Sequence, residues 1–356
     1  MSEMHMKVRG GVDRPLLPWL IFTGILVLLF LSVIAAVSMG AVSISWQDII
    51  KIESFHLFGM NGSDPAVVGV KDDIIWNLRM PRTILAIVVG MGLAVSGTVM
   101  QATVRNVLAD PYILGISSGA SLGATFSIML GLGKILGPES IGVCAFIGSL
   151  LVSVLVLMIA GQKASPIKLI LAGMAVSAVC SALSSFIVFS ANNKEGMQTI
   201  TYWLMGSLGN ATWSQDIVLL PMVLVMTVLF MTQSRMLNLM LLGDETTITL
   251  GVKISMYRKL YIIGVSLIIG FIVYASGMIG FVGLIVPHCI RNLVGVNHKY
   301  LIPVSSAAGA LFLVWADILC RTILPGSEIP IGVLVAIVAA PFFLYLLAQK
   351  KYTFGG

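Results

Sequence analysis

Charged side chains are scarce in this sequence. Asp, Glu, Lys and Arg together make up 10% of the 356 residues, where a soluble domain carries about 25%. A water-soluble globule of this length is thereby excluded, because too few polar groups remain to cover it. Cysteine is equally sparse. Cys144, Cys180, Cys289 and Cys320 sit in or beside apolar segments and form no CxxC pair, which leaves neither a disulfide framework nor a thiolate metal site; they read as small packing residues. His5, His56, His288 and His298 show no metal-ligand spacing. The GxxxxGK[ST] phosphate loop is missing: Gly131-Leu-Gly133-Lys134 has neither the spacing nor the hydroxyl, so the chain is not expected to bind ATP. HExxH, nucleophile-elbow and paired-carboxylate patterns are absent too. The expectation is a protein that is not an enzyme and holds no cofactor and no metal. Acids deep in apolar runs are few as well. Asp110 and Asp216 fall near run ends, and Asp317 stands four residues before Arg321, the spacing of an ion pair on one helix face. Ion-coupled carriers keep ionisable groups within their spans; here a proton or sodium relay has little to work with, and uphill transport would need energy from a separate subunit.

What the sequence has is apolar length. Hydrophobic residues make up 58% and the mean hydropathy is +1.02. Lipid can absorb that surface, and inside lipid the backbone must satisfy its own hydrogen bonds as helices or a closed barrel. Apolar runs of about 18–25 residues select helices over strands. The first, Trp19 to Gly40, follows Lys7, Arg9 and Arg14. It exceeds the 7–15 residue apolar region of a signal peptide and reads as an uncleaved span over about 19–40. The polar stretch from Ala41 to Arg82 reads as an external loop with room for a short helix. Nine more spans follow, at roughly 83–103, 114–132, 140–160, 168–190, 215–232, 257–276, 280–296, 301–321 and 331–348. Pro287, His288 and Arg291 interrupt the eighth of the ten. With ten spans, fourteen Lys and Arg fall on the N-terminal side and seven on the other. Because only short loops count, Lys51, Lys71, Arg79 and Arg82 are discounted, and the contrast becomes fourteen to three. That bias places both termini in the cytoplasm of a cell (inner) membrane protein. The net charge of +6 is therefore a topology signal, and no stretch interleaves basic and aromatic residues as a nucleic-acid groove does. The whole chain, 1–356, reads as one all-α transmembrane domain of about ten helices.

Small residues recur at four-residue spacing, Gly90 with Ala94 and Gly92 with Ser96, and again from Gly115 to Gly123. They point to close helix packing or to a pore-lining wall. The longest internal loop, Gln233 to Tyr257, is amphipathic. An exposed apolar patch there marks a partner site or a short helix lying on the headgroups.

Several segments, taken in order, resemble one family. They include Arg79-Met-Pro-Arg82-Thr, Ser96-Gly-Thr-Val-Met-Gln101, Arg105-Asn-Val-Leu-Ala-Asp-Pro111, Leu114-Gly-Ile-Ser-Ser-Gly119, Tyr202-Trp-Leu-Met-Gly-Ser207, Leu241-Leu-Gly-Asp-Glu245, Gly280-Phe-Val-Gly-Leu-Ile-Val-Pro-His288, Ala316-Asp317 and Glu328-Ile-Pro-Ile-Gly332. From about residue 20 to 350 the chain resembles the FecCD-type permeases, the BtuC-like membrane subunits of ABC importers for ferric siderophores, haem and cobalamin. The resemblance implies a type II importer architecture. It implies a homodimer or pseudodimer with the path at its axis, two cytoplasmic ABC ATPase subunits below and an external substrate-binding protein above.

The same resemblance assigns ATPase coupling to a cytoplasmic segment at about 233–256, with Leu241, Leu242, Gly243, Asp244 and Glu245 at its motif. Binding-protein docking falls to Arg79, Arg82 and Arg321, against a reading of the same arginines as headgroup anchors. The inner gate falls to Asn106, Leu108 and Ser165, with Val107 where the family usually has proline, which relaxes the backbone there. It also implies a wide path whose specificity resides in the external binding protein, with an iron–siderophore complex favoured over haem or cobalamin. Two other classes stand beside this one: an ion-coupled secondary carrier and a non-transporting membrane scaffold.

Overall fold

The apolar runs wind into helices because lipid offers their backbones no other partner. The computed structural model describes residues 16–40, 42, 44–59, 69–137, 139–161, 165–324 and 326–348, and among these no strand occurs. The basic residues Lys7, Arg9, Arg14, Lys163, Lys350 and Lys351 that entered the topology count lie outside the described residues.

In chain order the helices are α1 (Leu16–Ser38), α2 (Trp46–Phe58), α3 (Val70–Asp72), α4 (Met80–Thr103), α5 (Ile116–Met129), α6 (Leu132–Leu136), α7 (Ser140–Ala160) and α8 (Pro166–Ala191). Then come α9 (Lys194–Leu204), α10 (Trp213–Thr232), α11 (Ser234–Leu241), α12 (Asp244–Thr249), α13 (Ile254–Ser276), α14 (Val282–Val294), α15 (His298–Thr322) and α16 (Ile331–Ala348). Each of the ten expected spans has a helix at its place. Seven are long and apolar enough to cross a bilayer; α14 and the apolar part of α16 are shorter, and α5 has 14 residues.

Helix α4 forms the axis of the fold, packed by α15, α13, α14 and α10, while α5 lies between α7 and α8. Its most apolar window is 89% buried, against 17% for α1 and 22% for α8. A helix so enclosed needs small residues where other backbones cross it. Gly90 lies against the Gly309 carbonyl of α15 and Gly97 against the Gly283 carbonyl of α14; Gly119 and Gly148 do the same for α5 and α7. A Cβ at any of these would overlap a backbone atom, so the four-residue pattern serves close approach.

Two regions differ from the sequence reading. Within the expected external loop from 41 to 82, the described residues are largely helical. Ser45 caps α2, its Oγ accepting from the Asp48 N–H (3.2 Å), and Gly59 ends it in the left-handed conformation at φ +69°. From Val70 the chain runs without a break through a π-helical stretch, Asp73–Arg79, into α4, giving a 34-residue rod. The Trp76 carbonyl accepts from Trp213 Nε1 at 2.7 Å, so it keeps a donor although Pro81, inside this rod, supplies no N–H. The wider π turn just before Pro81 shifts the register. The second difference is α9, an unexpected helix between the fifth and sixth spans, started by Asn193, whose Oδ1 accepts from the Gly196 N–H at 3.1 Å.

Candidate functional site

Two polar junctions stand at opposite ends of this bundle. One forms where α1 ends. The last carbonyls of a helix lack intrahelical donors and carry the negative end of its dipole. Two guanidinium groups meet them. Arg79 donates to the carbonyls of Val37 (2.6 Å), Ser38 (3.0 Å) and Val42 (2.5 Å). Arg321 reaches the carbonyls of Ala36 (3.3 Å) and Met39 (3.4 Å). Arg321 also pairs with Asp317 Oδ2 at 3.0 Å, the ion pair expected from their spacing. Asp317 is shared: Arg82 Nε donates to its Oδ1 at 2.8 Å, and Arg82 Nη1 donates to Glu328 at 2.8 and 3.0 Å.

Asp317 is 2% exposed and Glu328 is 55% exposed. The structure thus brings Arg82 and Arg321 together on one carboxylate, with Arg79 beside them on α1. None of the three is an isolated outward charge. The sequence offered no sign of Arg82 meeting Asp317, 235 positions away, nor of Glu328 joining them.

Arg82 and Glu328 also line a cavity of about 840 Å³, together with Glu139, Tyr202, Trp203, Asn210, Gln215 and Tyr274. The Tyr274 hydroxyl donates to Glu139 across it. The wall is a mixture of amide, hydroxyl, aromatic and opposed charged groups, with no cluster of His, Cys, Asp and Glu able to hold a metal ion among the described residues.

The other junction forms at α11 and α12. Leu237 and Met240 bury the inner side of α11, while Leu242 and Leu250 are exposed. The segment is therefore helical and amphipathic, with apolar side chains left facing outward. Gly243 turns it at φ +104°. Asp244 accepts from Arg258 at 2.8 and 3.2 Å, and Arg105 lies 3.7 Å from the same carboxylate. Burial pulls the Asp244 carboxyl upward, but the hydrogen bonds and charge of Arg258 and the charge of Arg105 outweigh it and hold it below the usual range. Of the other motif residues, Leu241 lies at the end of α11 and Glu245 beside Asp244 in the first turn of α12.

The three gate candidates occupy turns. Asn106 Oδ1 accepts from the Leu108 N–H at 2.9 Å, closing a tight turn after α4. Ser165 caps α8 by accepting from the Lys168 N–H at 3.4 Å. Leu114, six residues after Leu108, lies with its backbone against Gly173 of α8.

Comparison with known proteins agrees with this architecture. Residues 14–349 match the model of the FecCD transport family. The hemin transport system permease protein HmuU of Yersinia pestis is 36% identical over 344 residues, covering 94% of this chain and 97% of that one. The vitamin B12 import system permease protein BtuC of Salmonella typhi is 36% identical over 276 residues, covering 78% and 84%. A metal-chelate type ABC transporter solved in an inward-facing conformation superposes with a TM-score of 0.80 at 31% identity, covering 92% of this chain and 99% of that one. PsaBC from Streptococcus pneumoniae shares the fold more distantly, with a TM-score of 0.53 at 19% identity. The chain belongs to the FecCD transport family and is a membrane permease subunit of the ABC importer type.

Proposed function

We propose that this permease works as a homodimer, or as one half of a pseudodimer, and carries a metal chelate into the cytoplasm. Two cytoplasmic ABC ATPase subunits would supply the energy and an external binding protein the substrate. The observation that carries this is the pairing of two features: a membrane bundle of importer architecture, and a cytoplasmic segment at about 233–256 that leaves Leu242 and Leu250 exposed beside a rigid ionic anchor. Leu241, Leu242, Gly243, Asp244 and Glu245 form the ATPase seat in this reading. Asn106, Leu108 and Ser165 form the inner gate. Both termini face the cytoplasm.

The docking face is the outer surface organised by Arg79, Arg82 and Arg321. Arg82 reaches the cavity wall, while Arg79 and Arg321 act by fixing the end of α1. Charge across such a face sets orientation and encounter rate more than affinity. The double variant Arg79→Glu with Arg82→Glu weakens binding-protein docking and slows uptake; unchanged docking and unchanged salt dependence would refute that assignment.

A ferric siderophore is the substrate we assign. Haem is the second reading, favoured by the Yersinia pestis relative whose name specifies hemin. The test is competition: labelled ferric siderophore uptake by the reconstituted complex, challenged with unlabelled haem and cobalamin. Uptake of the siderophore that neither displaces supports the assignment. Uptake of haem alone replaces it with the second reading.

A further inference from the structure

On the cytoplasmic side, two guanidinium groups from different parts of the fold share one carboxylate. Arg258, near the start of α13, is 1% exposed. It gives Asp244 two hydrogen bonds and donates from Nε to the Thr103 carbonyl at 3.1 Å, at the last residue of α4. Two residues further on, Arg105 brings its Nη2 to 3.7 Å from the same carboxylate oxygen.

The backbone is shaped for this meeting. Arg105 adopts φ +51°, a left-handed conformation uncommon outside glycine. Gly243, opposite, has no side chain, and a Cβ there would lie 3.0 Å from Arg105 Nη1. The residue after Arg105 is Asn106, which closes the turn onto Leu108. One peptide bond therefore separates the ionic junction from that turn.

The other half of the segment is held differently. Asn238 of α11 donates to Asn297 at 2.9 Å and accepts from the His298 N–H at 2.9 Å, both at the start of α15. These are neutral, directional bonds that weaken steeply with misalignment. Attraction between full charges falls only as the inverse of distance.

We propose that Arg105 is a positioning residue: with Arg258 it keeps the 104–108 turn attached to Asp244, so that displacement of the 233–256 segment moves that turn. This rests on the importer reading above.

The test uses the whole complex in liposomes, with ferric siderophore, haem and cobalamin each offered as labelled probe, and measures probe imported per ATP hydrolysed. Arg105→Gln removes the charge, shortens the side chain and leaves two N–H donors of the original five. The expected result is a fall of about two- to fivefold in import per ATP, with the rate of ATP hydrolysis and the melting temperature of the complex retained. Arg105→Lys restores the ratio. An unchanged ratio in Arg105→Gln overturns the proposal, as does a parallel fall of hydrolysis, import and melting temperature, which is the signature of a structural role alone. A wild-type complex that imports none of the probes with ATP overturns the importer reading and this proposal with it. ATP-driven wild-type import with an unaffected Arg105→Gln ratio overturns only the proposal.

Discussion

Replacing Asp317 by Asn removes a negative charge from between two guanidinium groups that are themselves largely out of water. Arg82 and Arg321 approach it at 2.8 and 3.0 Å, and their side chains are 12% and 6% exposed. At a charge separation of about 4 Å and an effective dielectric near 20, each attraction is about 4 kcal/mol. Most of this offsets the cost of keeping three ions from water, so the sum is not the stability at stake. Breaking a buried pair by removing one partner costs about 3–5 kcal/mol, because the remaining charge stays buried. Here the survivors keep some support: Arg82 retains Glu328, and Arg321 retains two carbonyls at 3.3 and 3.4 Å. The lower end, about 3 kcal/mol, is the expected cost. Glu328→Gln serves as the matched comparison, since Glu328 meets the same Arg82 but is 55% exposed; an exposed pair contributes about 0–1 kcal/mol. Thermal unfolding of the detergent-solubilised protein, followed by loss of its monodisperse form, should separate the two variants clearly. Equal melting of Asp317→Asn and wild type, or equal damage from Glu328→Gln, would refute the reasoning.

Three further outcomes follow from the same geometry. Gly97→Ala places a methyl group into the Gly283 carbonyl and should force α4 and α14 apart at a cost of about 1–3 kcal/mol, whereas Gly280→Ala, with open space around it, should fold as wild type; matched melting curves decide. Arg79→Ala strips three carbonyls of their donor and should cost about 2 kcal/mol, with Arg79→Lys recovering part of it in the same melt. Asp244 has a depressed carboxyl pKa, so its ionic contribution is complete above the unfolded value of about 4 and is lost only as pH falls through the lower folded value. Import per ATP should then be flat between about pH 6 and 8; a decline on acidification that Asp244→Asn abolishes would contradict this.

The spans were legible because lipid imposes a length and an apolar composition that no other environment produces. Small-residue spacing told of close helix approach because a Cβ at Gly90 or Gly97 meets backbone. Asp317 with Arg321 was legible because an i, i+4 pair is a local matter. What stayed hidden was non-local or carried by the backbone. Arg82 reaches Asp317 through tertiary approach alone, and the carbonyls that bind Arg79 belong to every residue type equally. The helical run that begins at Val70 was obscured because Lys71, Asp72 and Asp73 made its first turns read as part of a polar loop. Asp244, Arg105 and Arg258 were each visible as charges near the ends of apolar runs or between them, but nothing in their spacing showed that they share one site.

The central claim, import driven by partner ATPases, is tested most directly by how uptake is energised. Proteoliposomes holding this chain with its ATPase and binding protein would be assayed for uptake of labelled ferric siderophore, haem and cobalamin, with trapped ATP, without it, and with an uncoupler. The account predicts uptake that requires ATP and survives the uncoupler. Uptake that ignores ATP and collapses with the ion gradient would contradict it and leave a secondary carrier in its place.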